Sequence, residues 1–155
     1  MPFVYYNEAA GEKIARVSAN MAMAADMEVR ASSTATTGAY SSACQRGLPA
    51  ILMERGGGGR FTDSEVQAYK RDVKNIMIRM GLLSGEEVHT VQQKNVTRAE
   101  YLEAETDGLW YPVFSAGDTF AGGAVLGTVR DIWGNLLREY RADYPGIVLY
   151  QTVGL

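Results

Sequence analysis

The period of the apolar positions changes several times along the first eighty residues, and each change predicts an element. From residue 8 to 25, EAAGEKIARVSANMAMAA, the residues Ile14, Val17, Met21 and Ala24 or Ala25 recur at helical spacing. The alanine-rich remainder of that stretch favours a helix. MEV at 27–29 suits a short strand, and RASSTATTG after it has the composition of a loop. AYSSACQRG predicts a helix of about two turns, with Gly47 as its left-handed cap. Pro49 then opens a continuous apolar run, Ala50 to Met53, which ends at Glu54. Such a run predicts a strand buried on both faces, as in a mostly parallel sheet covered by helices. After four glycines, Thr62 and Glu65 have the spacing of a capping box. The helix they open carries Val66, Tyr69, Val73, Ile76, Met77 and Met80 on one side and ends at Gly81.

The order of elements through residue 81 is therefore helix, strand, helix, strand, helix, an alternation that favours an α/β unit. Near residue 84 the pattern changes. SGEEVHTVQQKNVTRAE is polar and reads as a connector over 85–100. From Tyr101 onward, short β-like runs such as LWYPVF, AVLGTV and IVLYQTV alternate with turn residues every 8 to 12 positions, roughly the spacing of a small sandwich or barrel. The predicted fold is thus an α/β portion over 1–84, followed by a small all-β barrel or sandwich-like unit over 101–155. The closing run IVLYQTVGL predicts a strand with no later partner, and an unpaired edge invites association, so a homo-oligomer is expected.

Composition narrows the classes of function. With 46% hydrophobic and 21% charged residues, the chain reads as a soluble globular protein. A net charge of −3 supplies no basic face for phosphates, which argues against a nucleic-acid partner. No apolar run approaches the roughly 20 residues needed to cross a bilayer, and no signal-peptide pattern opens the chain. With the single cysteine Cys44, a cytoplasmic, reduced setting is expected and no membrane partner. Cys44 has no histidine near it in sequence to activate it, and reads as a buried small residue. The single histidine, His89, sits in the polar stretch EEVHTVQQK and reads as a solvated loop residue. One His and one Cys are a poor basis for a zinc site, so no metal ligands are assigned. Trp110 and Trp133 read as core or interface anchors of the β-unit, and Asp118 and Asp131 as turn residues.

The stretch PAILMERGGGGRF holds the best candidate chemistry. A Walker-type phosphate loop ends in Gly-Lys-Ser/Thr, whereas this run ends Gly59-Arg60-Phe61-Thr62. The dinucleotide fingerprint also fails, because its sixth position falls on Phe61 or Thr62. The carboxylate is more informative. An acid at the carboxyl end of a buried parallel strand lies where open α/β sheets bind ligands. On residue chemistry alone, Glu54 is either a catalytic carboxylate or a strand cap paired with Arg55 or Arg60.

The segment TTGAYSSACQRGLPAILMERGGGGRFTDSEVQAYKRDVKNIMIRMGLL resembles the succinylglutamate desuccinylase/aspartoacylase family, zinc-dependent amidohydrolases related in fold to the zinc carboxypeptidases. The shared elements are a strand ending in glutamate, a glycine-rich turn and a following helix. AETDGLWYPVFSAGDTFAGGAVLGTVRDIWGN resembles the same family's carboxy-terminal β-unit, which is similar in shape to biotinyl/lipoyl carrier domains. The resemblance covers the chain from about residue 35 onward, so the α/β portion is expected to be part of a zinc-carboxypeptidase-like mixed sheet.

The resemblance implies that Glu54 is the general base and then general acid of an amide hydrolysis by metal-activated water. It implies zinc in the intact enzyme and a small N-acyl amino-acid-like substrate. The family's zinc ligands, a His-x-x-Glu pair and a later histidine, lie upstream of the matched region, and residues 1–30 contain no histidine. Aspartoacylases also carry an arginine ten residues before the glutamate, where this chain has Cys44. The chain therefore reads as the carboxy-terminal part of such an enzyme, binding no zinc and inactive alone. A different expectation is a non-catalytic interaction or oligomerisation module built on the β-unit. A carrier version of it would need a modifiable lysine, and every lysine lies at or before Lys94.

Overall fold

The computed structural model describes residues 1–152, and the chain forms two compact units, Pro2–Glu100 and Tyr101–Leu155 with Met1. In the first, three helices accompany a mixed four-stranded sheet: β1 (Phe3–Asn7), α1 (Glu12–Ala24), β2 (Val29–Ser33), α2 (Ala39–Gln45), β3 (Ile51–Glu54), α3 (Asp63–Arg79) and β4 (Lys94–Val96). The strand order is β3-β1-β2-β4. β1, β2 and β4 run parallel, and β3 pairs antiparallel with β1.

The core lies between the sheet and α1, where Val4 and Tyr6 meet Ala22, Ala25 and Met27. Alanines on this face of α1 let the helix approach the sheet closely, and Ile51, Met53 and Tyr69 complete the cluster. β1 is buried along its whole length, and its run FVYYN has the β-branched and aromatic composition of a central strand. The periodicity of the sequence had not marked it as a strand.

Four expectations need correction. β2 covers Val29–Ser33, four residues of which fall in the stretch expected as a loop, and it leaves out Met27 and Glu28. β3 is a sheet edge, antiparallel to its neighbour and exposed at every second residue; it is not a parallel strand buried on both faces. Four residues of apolar run cannot separate those cases, because only the partners decide them. α3 forms over the expected span with both bonds of its capping box, but its inward face differs. Asp72 and Asn75 are its fully buried residues, whereas Val73, Met77 and Met80 are 46%, 38% and 39% exposed. The connector is also structured: it contributes β4 and docks on α3, where Asn75 exchanges two hydrogen bonds with the backbone of Val88 (2.8 and 3.0 Å).

The second unit holds β5 (Leu109–Pro112), β6 (Thr119–Phe120), β7 (Val125–Arg130), β8 (Leu136–Arg141) and β9 (Gly146–Ile147). They form an antiparallel sheet β5-β7-β8 and a separate pair β6-β9. The expected closing strand is reduced to Gly146–Ile147, and residues 153–155 lie outside the described residues. Gly127 of β7 is required by packing. A Cβ there would lie 2.2 Å from the Trp110 ring and 2.7 Å from the Tyr111 carbonyl. Trp110 also meets Tyr140 edge-on at 5.8 Å.

Trp133, expected as a core or interface anchor, is 82% exposed beside Ile132 at the β7–β8 turn, so it is no core residue. Asp131 organises that turn, as expected of it, accepting from the amides of Trp133 and Asn135 and from the Asn135 side chain. The side-chain bond from Asn135 leads the effects that hold its carboxyl below the ordinary range. Asp118 likewise accepts from the Ser115 amide at 2.7 Å. Among the described residues no helix is long and apolar enough to cross a membrane.

Candidate catalytic glutamate and its ion-pair surroundings

Glu54 closes β3, and the register fixes which way it faces. It stands opposite Phe3, as Leu52 stands opposite Tyr5, while Met53 and Ile51 stand opposite Val4 and Tyr6. Directly opposed residues share a face. Val4, Tyr6, Ile51 and Met53 belong to the cluster under α1 and α3, so Glu54 lies on the other side of the sheet. Because β3 is antiparallel, its carboxyl end meets Phe3, whose parallel partner is Val29; Glu54 therefore sits where β1 and β2 begin. The ligand-site rule for carboxyl ends of parallel strands does not apply to it. Glu54 is exposed and takes no hydrogen-bond or ion-pair partner among the described residues.

The glycine run is a folded turn. Gly57 and Arg60 form an isolated bridge, with the Arg60 amide 3.2 Å from the Gly57 carbonyl. Gly56 has a left-handed φ of 73°, and a Cβ there would lie 3.1 Å from Glu65 and 3.2 Å from the Arg60 carbonyl. The turn leads into the α3 cap, where the Thr62 amide donates to Glu65 at 2.7 Å and the Thr62 hydroxyl accepts from the Glu65 amide.

Arg55 was one of two arginines expected as a partner of Glu54. It turns instead to the α3 side and binds Asp72, with its Nε and a terminal nitrogen 2.9 and 2.7 Å from the same carboxylate oxygen. The same terminal nitrogen also donates to the Asp26 carbonyl at 2.8 Å. Asp72 accepts the Asp26 amide on its other oxygen, also at 2.8 Å. The Asp26 carboxylate, in turn, accepts from Arg71, from the amides of Thr90 and Val91, and from the Thr90 hydroxyl. Burial alone would raise the Asp26 carboxyl, but the Thr90 and Val91 bonds and Arg71 together hold it below its ordinary range. Every buried side-chain nitrogen and oxygen among the described residues has a partner, as a buried polar network requires. Sequence reasoning missed Asp26, Arg71, Asp72 and Thr90, and no local signal could have found them, since the partners lie 17 to 65 residues apart.

The histidine and cysteine are not brought together. His89 is exposed and bonds Glu87 at 2.9 Å, a carboxylate that also pairs with Arg79. The bond from Arg79 is the main reason that the Glu87 carboxyl lies below its ordinary range. Cys44 is fully buried, its sulfur 3.6 Å from the Ser18 hydroxyl and 3.5 Å from the Ala50 carbonyl. Among the described residues no group of three or more His, Cys, Asp or Glu side chains is arranged to hold a metal ion. The residues present therefore do not fit a zinc site.

A mixed α/β sheet unit followed by small antiparallel sheets defines a recognisable class. The chain has the fold of succinylglutamate desuccinylase/aspartoacylase proteins. The product-bound ectoine utilization protein EutE (DoeB) from Ruegeria pomeroyi matches 95% of this chain with a TM-score of 0.81 and 23% identity, over 47% of its own length. A succinylglutamate desuccinylase/aspartoacylase from Rhodobacter sphaeroides matches 94% with a TM-score of 0.77 and 21% identity, over 47% of its length. An aspartoacylase family protein from Mesorhizobium loti matches 94% with a TM-score of 0.69 and 22% identity, over 45% of its length. This chain thus spans about half the length of the structures it matches. No family model and no curated protein matches the sequence.

Proposed function

We propose that these residues form the carboxy-terminal part of an amide-bond deacylase of the succinylglutamate desuccinylase/aspartoacylase family, acting on small N-acyl amino-acid-like substrates. The observation that carries the reading is a shared fold over 95% of the chain, with a TM-score of 0.81. Glu54 supports it as an exposed, unpartnered carboxylate that closes a strand just before a built glycine turn. In this reading Glu54 takes a proton from the attacking water and delivers it to the departing amine, while the amide carbon–nitrogen bond breaks. The zinc that the family uses would need ligands from outside these residues, which makes the chain alone inactive. The unpaired β3 edge is where a further strand or a second copy would join, in a cytoplasmic setting without nucleic acid or membrane.

The test is amine release from N-acetyl and N-succinyl amino acids by a protein that contains these residues together with a metal-binding half. Glu54→Gln is expected to lower the rate by about a hundredfold to ten-thousandfold. Undiminished turnover in Glu54→Gln would sink the acid–base role. Hydrolysis by the 155-residue chain alone would sink the claim that it is incomplete. One observation favours a second reading, a module that binds a partner through the β-unit: the Ile132–Trp133 turn is 77% and 82% exposed.

A further inference from the structure

Glu54 occupies a position that ought to be loose. It is the last residue of an edge strand only four residues long, followed by a run of exposed glycines. Such segments open locally at little cost. Yet the residues on either side of it are tied to α3. The Tyr69 hydroxyl donates to the Met53 carbonyl at 3.3 Å. The Arg55 guanidinium is held by Asp72 and by the Asp26 carbonyl, and it lies 5.8 Å from the centre of the Tyr69 ring. Asp72 is itself completely buried and oriented by the Asp26 amide.

We propose that Tyr69, Arg55 and Asp72 are positioning residues that hold the main chain of Glu54 in place while leaving its carboxylate free. The proposal rests on the reading of Glu54 as the proton carrier, and it deepens that reading. The alternation of β3 puts Met53 and Arg55 on the α3 side and Glu54 on the other. The clamp thus acts on backbone and neighbours without touching the reacting group. Asp72 has a second effect. By engaging Arg55 through its Nε and one terminal nitrogen, it turns a cation next in sequence away from Glu54, which it would otherwise pair with and neutralise. A general base needs its position fixed and its lone pairs unengaged, and this arrangement meets both conditions.

Amide hydrogen exchange on the 155-residue protein tests this without any assay of activity. In Tyr69→Phe, which keeps the ring and removes only the hydroxyl, the protected amides within residues 51–56 are expected to exchange about tenfold faster. Those of α1 over Ala15–Ala22, which bond within their own helix, should stay within roughly twofold of the parent protein. Arg55→Lys should act in the same direction, because an ammonium cannot reproduce the two-point contact with Asp72. Equal acceleration in both segments would mean that these side chains only add to the stability of the whole unit. No acceleration in either variant would mean that β3 holds Glu54 unaided. Either result overturns the proposal. Failure of the acid–base reading would show instead as undiminished turnover in Glu54→Gln, with the exchange pattern intact.

Discussion

At the scale of single residues, the first unit is governed by carboxylates that the helix and strand patterns do not reveal. Asp26 and Asp72 are 3% and 0% exposed, and each binds an arginine together with backbone amides or hydroxyls. A buried charge of this kind is tolerated only when paired and fully hydrogen-bonded, and removing one member leaves the other uncompensated. The pH dependence follows from direction alone. The carboxyls of Asp26 and Glu87 are both lowered from their ordinary values of 3.8 and 4.5. A lowered folded value means that the unfolded chain takes up protons first as the solution is acidified. The stabilisation from these groups is therefore complete above the ordinary carboxylate values and is lost as the pH falls through the folded ones. Urea midpoints measured by circular dichroism are expected to be level in this respect above about pH 6 and to fall progressively below about pH 4.5. A midpoint that holds steady into strong acid would contradict the assignment.

Among elements, α3 is the one whose buried face the apolar pattern marks only in part: Tyr69 reaches the core as expected, whereas the fully buried positions are polar. Its capping box was legible because Thr62 and Glu65 act within one turn of each other, and the same holds for Gly81, with a left-handed φ of 74°. Which face turns inward is a different matter. The helix docks through Asp72 and Asn75, which bond Arg55, Asp26 and Val88, and leaves Val73, Met77 and Met80 partly in water. Val73→Lys is accordingly expected to change stability by less than about 0.5 kcal/mol. Asn75→Ala, which strands two backbone groups of Val88, should cost about 1–3 kcal/mol. Denaturant titration of the two variants decides the matter, and a larger cost for Val73→Lys would restore the face that the periodicity favours. β3 shows a similar division. Its position and its glutamate terminus were readable, but its edge placement and antiparallel direction came from pairing with β1.

For the molecule as a whole, the donor inventory yields the remaining prediction. His89 pairs with Glu87, Cys44 is enclosed by Ser18 and Ala50, and the carboxylates of Asp26 and Asp72 are spent on arginines. The 155-residue chain, purified with zinc and cleared of loose metal, is expected to retain well under one zinc per molecule. Close to one tightly held zinc would show that a site forms from residues that the fold keeps apart.

By itself the sequence determined the existence of the three helices, the caps at Gly47, Thr62 and Gly81, the strand that ends at Glu54, the turn role of Asp131 and the likeness to a family fold. All of these depend on residues within a few positions of each other, where spacing carries the information. Only the tertiary structure decided that FVYYN is the central strand, that β3 is an edge, that Trp133 faces solvent and that Arg55 belongs to Asp72. Those outcomes depend on which distant segments meet, and a sheet register or a buried ion pair leaves no period along the chain.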